Sequence, residues 1–146
     1  MSERTYGQDV AFLNEHVTTI ELFNGDGARI VTVPQYQGRT MTSTASGNQG
    51  TSFGWINYDC ISSSTIAEKI NLYGGEDRFW ISPEGGQFSV FFDPDSPMDF
   101  SHWRTPSILD TQSFEVVDQT QDSVSFQQRG RPVSYTHLTL PTTPYV

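Results

Sequence analysis

The chain has 146 residues, 35% of them hydrophobic and 17% charged, with a formal net charge of −9. That length holds at most one ordinary domain, and that charge repels phosphate backbones, so nucleic acid is not an expected partner. No stretch approaches the ~18 apolar residues of a spanning helix. The opening MSERTYGQDVAFL has neither the basic nor the apolar region of a secretory signal, which leaves a cytoplasmic location as the default.

In chain order, Tyr6, Val10, Leu13 and Val17 recur at helical spacing and predict a short amphipathic helix near 7–16, with His16 on its polar side. The period then changes to two. TTIEL (18–22) and ARIVTV (28–33) flank FNGDG, whose Asn24-Gly25 supplies the positive φ of a tight hairpin. YQGRTMTST (36–44) is a third strand, with Gly38 marking a bulge or a close backbone approach. TASGNQGTS reads as a loop and SFGWINYD as a further strand. A single helical turn is allowed in ISSSTIAEKINLYGG.

RFWIS and QFSVFF are expected to pair across PEGG, burying Phe88, Val90 and Phe92 on one face. DPDSPMDFSHWRTP is a proline-punctuated excursion too polar for core. FEVV (114–117) and DSVSFQQ (122–128) make a last hairpin across DQTQ. Eight or so short strands, one helix and no βαβ rhythm predict a mainly β, antiparallel sandwich.

Few chemical motifs survive inspection. Cys60 is the one cysteine, which rules out an internal disulfide, and in its apolar–polar setting it reads as a small buried hydrophobe. DPDSPMD (93–99) alternates acidic residues, but Pro97 fills the fifth loop position and the glycine at the sixth is missing, so it reads as an acidic turn. No phosphate loop, dinucleotide fingerprint, nucleophile elbow or Cys/His metal spacing occurs, so neither a metal nor another cofactor is expected.

The tail VSYTHLTLPTTPYV (133–146) carries no charge and follows no strand or turn pattern. Residues 133–142 equal a one-frame translation of the transposase adapter used to prepare sequencing libraries. The tail is therefore expected to be a non-native scar outside the partial domain of residues 1–132, extended and poorly packed. Tyr135 and His137 are accordingly no site candidates, and the native reading frame is expected to be cut near Arg131.

VPQYQGRTMTSTASGNQGTSFGWINYD, YGGEDRFWISPEGGQFSVFF and FSHWRTPSILDTQSFEVV together resemble a family of uncharacterised bacterial proteins, over roughly residues 5–131. The sharpest signature is GGEDRFWISPEGGQFSVFF. That resemblance implies a galactose-mutarotase-like supersandwich of which this chain is an N-terminal portion. In aldose epimerases of that fold a carboxylate base and a His acid open the sugar ring. The base lies near the C-terminal end of their domain, so none is assigned here and the chain is expected to be inactive as an epimerase. The early Arg that contacts sugar hydroxyls has its nearest counterpart in Arg78, and His102 is the remaining catalytic candidate although it lies outside the epimerases' Asn-His motif.

The residue types agree with saccharide recognition, in which aromatic faces meet C–H surfaces and charged forks grip hydroxyl pairs. Arg78, Trp80, Glu84, His102, Trp103 and Arg104 are the candidate binding residues, and all but Glu84 are expected to gather round a concavity. Each has a plainer role open to it: Trp80 as core, Glu84 as a turn residue, Arg78 in a surface pair with Glu76 or Asp77. A non-catalytic structural or binding domain on the same sandwich is the alternative. A sandwich cut after its early strands leaves unpartnered edges and apolar faces, so non-specific self-association is expected as well.

Overall fold

Thr5 opens the first helix because its hydroxyl accepts the Gln8 amide while the Gln8 side chain accepts the Thr5 amide, a reciprocal cap that closes two orphan donors. Helix α1 (Tyr6–His16) follows as the spacing predicts, in a computed structural model that describes residues 4–131. The expectations for the tail lie outside the described residues. Leu13 is fully buried and Val10 and Val17 pack on the same core, although Tyr6 and Asp9 share the buried face. His16 is exposed, its Nδ1 2.9 Å from the Phe12 carbonyl.

Strands β1 (Ile20–Phe23), β2 (Arg29–Val33) and β3 (Arg39–Thr44) form one antiparallel sheet in the order β1-β2-β3. The Asn24-Gly25 turn does what its composition predicts: Gly25 has φ +92° and Asn24 Oδ1 accepts the Asp26 amide. Between β2 and β3 the register slips by one, Val31 opposing Thr42 and Thr32 opposing Thr40. The extra residue is Met41, and the bulge lets Met41 and Thr42, neighbours in sequence, both bury completely. Gly38 is the close approach the pattern suggests: with φ +65°, a Cβ there would stand 2.6 Å from the Phe126 ring.

Strand β4 (Trp55–Ile56) is only two residues long and pairs with β5 (Gly74–Gly75). The helical turn comes earlier than ISSST: α2 (Tyr58–Ser62) starts where Asn57 Oδ1 accepts the Cys60 amide. A further short helix, α3 (Ser107–Asp110), buries Leu109 and Asp110. The last hairpin forms as expected, β6 (Glu115–Gln119) against β7 (Val124–Gln127). The protein is thus β-rich, with seven strands in three antiparallel sheets among the described residues. Tyr6, Leu13, Val31, Val33, Tyr36, Met41, Ile56, Ile61 and Tyr73 make the core, at ~1.5–3 kcal/mol for each large apolar side chain removed from water. Cys60 packs against this core half-buried.

The hairpin expected across PEGG is absent, and residues 78–92 form no strand. Side chains compete for the amides a ladder would use: Ser89 Oγ accepts the Phe91 amide and donates to the Glu84 carbonyl, while the Ser89 amide reaches the Gly86 carbonyl. Burial is one residue out of the expected phase. Ser89 and Phe91 are buried, Val90 and Phe92 half-buried, and Phe88 is 46% exposed. Among the described residues no helix is long and apolar enough to cross a membrane.

Candidate functional site

Two features come from the GGEDRFW segment. The first is an aromatic wall. Fully buried Phe91 lies nearly parallel to Trp80, with ring centres 4.9 Å apart, and to Trp103 at 4.6 Å. The Arg78 guanidinium stands 4.4 Å from the Trp80 ring centre, a cation–π contact. Trp80 therefore has ring partners in both Phe91 and Arg78, and its Nε1 donates to Glu84 at 2.8 Å. Trp80 and Glu84 act here as packing and turn residues, and neither lines the pocket described next.

The second feature is a pair of arginines around Asp110. The Asp110 carboxylate, 3% exposed, accepts the Asn71 amide, Asn71 Nδ2 at 2.7 Å and Arg78 Nη2 at 2.9 Å. Arg78 thus pairs across the fold with Asp110 rather than with Glu76 or Asp77. Arg39, 4% exposed, donates from Nη1 to the Gly74 carbonyl at 2.7 Å. Its Nε and Nη2 have no partner among the described residues. Burial, with Arg78 beside it, pushes the Arg39 guanidinium down to about 10, so it stays charged at neutral pH. Burial lowers Arg78 as well, and Asp110 offsets part of that.

Both arginines border a cavity of about 360 Å³ whose wall includes Trp55, Leu72, Gly74, Gly75, Glu76 and Asp77. The double glycine is what lets this wall close. Gly74 and Gly75 have φ +92° and +109°, a region side chains rarely adopt. A Cβ on Gly74 would meet the Trp55 carbonyl at 2.2 Å, and one on Gly75 would meet Arg39 Cδ at 2.5 Å. The backbone therefore lies directly on the Arg39 stem. At the rim, Glu76 accepts from Ser43 Oγ and Asp77 from the Thr40 amide.

The candidates predicted from sequence divide into three groups. Arg78 lines the cavity, while Trp80 and Trp103 join it through the aromatic wall. His102 and Arg104 lie on the exposed loop that precedes α3. There His102 Nδ1 is 2.8 Å from Asp99, and Arg104 makes an open ion pair with Asp93 at 3.2 Å. Bonds to Asp99 from Ser101 and then from His102 hold that carboxyl down at about 2. Arg39, Trp55 and Asp110 escape sequence reasoning. Trp55 looks like an ordinary strand residue in SFGWINYD, and a single Arg among the hydroxyl residues of RTMTST gives no sign of burial.

A second polar cluster ties α1 to the sheets. Asp9, 4% exposed, accepts from the hydroxyls of Ser52 and Tyr58, and Ser52 Oγ lies 2.6 Å from Thr42 Oγ1. Burial and then the bond to Asp9 raise the Tyr58 hydroxyl, whose ring carries the Arg4 guanidinium 3.9 Å from its centre. With its acceptors filled by protein hydroxyls, this cluster serves as a structural clasp.

The described residues thus define a β-rich protein with an arginine-floored pocket beside an aromatic wall. The chain belongs to a family of unknown function, DUF6786, whose profile matches residues 4–141. Comparison with curated proteins and with solved structures gives no match.

Proposed function

We propose that the chain is a saccharide-binding domain, built on a sandwich of the galactose-mutarotase-like kind, with its ligand seated between Trp55 and the Gly74–Arg78 segment. One observation carries this reading. The Trp55 side chain is 62% exposed at the edge of a cavity that also presents Arg39, Glu76, Asp77 and Arg78. An open indole offers the apolar surface that sugar C–H groups stack on, and guanidinium and carboxylate groups side by side offer donors and acceptors to neighbouring hydroxyls. Trp103 and Trp80 support the pocket from behind through Phe91 and Arg78 rather than touching the sugar.

The reading is of binding alone: His102, the acid candidate named from sequence, is exposed, lies outside the pocket lining and has its Nδ1 against Asp99 and Ser101. Calorimetric titration of the chain with a panel of hexoses and hexose oligomers tests the reading. Trp55→Ala, which removes an exposed side chain, is expected to keep the fold and weaken binding about tenfold, the ~1.4 kcal/mol of one lost aromatic contact. Absence of saccharide binding by the intact chain, or an unchanged affinity in Trp55→Ala, refutes it.

A further inference from the structure

Trp55 borders a second cavity besides that of Arg39 and Arg78. This one, of about 240 Å³, has Arg4, Asp9, Thr51, Ser52 and Tyr58 in its wall, and among the described residues Trp55 alone is common to both. At about 240 and 360 Å³ the two straddle the ~300 Å³ low end of cavities that hold a small molecule. A ligand seated in both falls inside that range. The backbone on either side of Trp55 is fixed. Before it, the Gly54 amide donates to Thr42 Oγ1 at 3.0 Å, and a Cβ on Gly54 would collide with the Met41 carbonyl. After it, Ile56 is buried, and Trp55 itself pairs with Gly75. An exposed indole on so fixed a backbone is a platform whose ordering costs little when a ligand stacks on it.

Both walls carry the same mixture of groups. Arg39 and Arg78 stand against Glu76 and Asp77 in one, and Arg4 stands against Asp9 in the other. Neither lining has a net formal charge, so neither selects an ion, and both suit an uncharged ligand rich in hydroxyls. In the second cavity Asp9 is occupied by the Ser52 and Tyr58 hydroxyls and holds the wall together. Arg4 is the group open to a ligand. Its guanidinium sits over the Tyr58 ring, 3.9 Å from the centre, and it makes no ion pair among the described residues. Exposed Thr51 adds a hydroxyl to the same wall.

We infer that the ligand is an uncharged oligosaccharide of at least two sugar rings that lies across Trp55. One ring occupies the cavity of Arg39 and Arg78, and the next occupies that of Arg4 and Thr51. This rests on the saccharide reading above and adds the ligand's length, its lack of charge and a second subsite.

Calorimetry on the full chain with glucose, galactose and mannose, and with the β-1,4-linked dimer of each, tests this. For the sugar that binds, the dimer is expected to bind about tenfold or more tightly than the monomer, through its second set of ring contacts. Arg4→Ala removes an exposed side chain and leaves the bonds of Asp9 to Ser52 and Tyr58 in place. It is expected to narrow that ratio to about threefold or less. In amide NMR spectra the dimer, unlike the monomer, is expected to shift the signals of Thr51, Ser52 and Gly54. A ratio unchanged in Arg4→Ala, or a dimer that moves only the signals of residues 74–78, overturns the second subsite. Equal affinity for monomer and dimer overturns this inference and leaves the saccharide reading intact, whereas binding of neither overturns both. A dimer oxidised to a uronic acid at one ring that binds more tightly than the neutral dimer overturns the uncharged assignment.

Discussion

Replacing Asp110 with alanine tests whether the carboxylate organises the pocket. In the native fold that side chain serves three donors at once: the Asn71 amide, Asn71 Nδ2 and Arg78 Nη2. Two of them keep a second acceptor after the change, since Asn71 Nδ2 also reaches the Ala67 carbonyl at 3.1 Å and Arg78 Nη2 reaches the Leu109 carbonyl at 3.4 Å. The Asn71 amide keeps none, and an orphaned buried donor costs ~1–3 kcal/mol. Arg78, with its side chain only 20% exposed, also loses its counter-charge and is left beside the cationic Arg39. Breaking one side of a buried ion pair costs ~3–5 kcal/mol in all, a third or more of the stability of many small domains. Urea unfolding followed by tryptophan fluorescence measures it. Arg104→Ala, which removes an ion pair whose side chains are 71% and 47% exposed, is the reference and is expected to cost less than ~1 kcal/mol. If Asp110→Ala were no more destabilising than Arg104→Ala, the carboxylate would not anchor Arg78 and Asn71 as the geometry requires.

Other outcomes follow from the same geometry. Phe91→Ala is expected to cost ~3–5 kcal/mol and Phe88→Ala less than ~1, because Phe91 fills the space between two indoles and Phe88 is half in water; equal losses would restore the phase expected from sequence. Gly75→Ala should destabilise by more than ~1 kcal/mol, where an unstrained Gly-to-Ala change would stabilise by ~0.4–1, because of its φ and its collision with Arg39, as thermal melting would read. The Asp99 carboxyl should titrate near 2, below its ordinary 3.8, and Ser101→Ala should move it upward, followed by carboxyl-carbon NMR. Because that pKa is depressed on folding, the turn's contribution is present above about 3.8 and fades as pH falls through about 2; an unmoved midpoint in Ser101→Ala would remove the hydroxyl as its cause.

How far these features could be read from sequence depended on whether local patterns or distant partners set them. Helix α1 and the first sheet carry their own signals, a 3.6 period in Tyr6, Val10 and Leu13 and a turn at Asn24-Gly25, and both form as written. Residues 78–92 alternate like a strand, yet no strand forms because Ser89 supplies local bonds and Phe91 joins two tryptophans, one of them from a distant loop. Arg78 was singled out through its motif, but the carboxylate it pairs with lies 32 positions away in a helix with no strong pattern. Arg39 shows the limit most plainly. In sequence it is one cation among threonines, and only the Gly74–Gly75 backbone laid across it reveals a buried group with donors to spare.

The hairpin of β6 and β7 adds a different consequence. Every residue of β6 is exposed, so the hairpin buries little against the rest of the fold. Its attachment consists chiefly of the Phe126 ring against Gly38 and backbone bonds from Phe23 to Gln121 and from Phe114 to Pro34. Such a unit opens and recloses on its own, at a free energy well below that of global unfolding. Its ladder amides should therefore exchange with solvent deuterium together and early, while those of β2 and β3 remain protected. The hairpin meets the rest of the molecule at Gly38, the neighbour of Arg39, and Gly38 sets how tightly it is fastened.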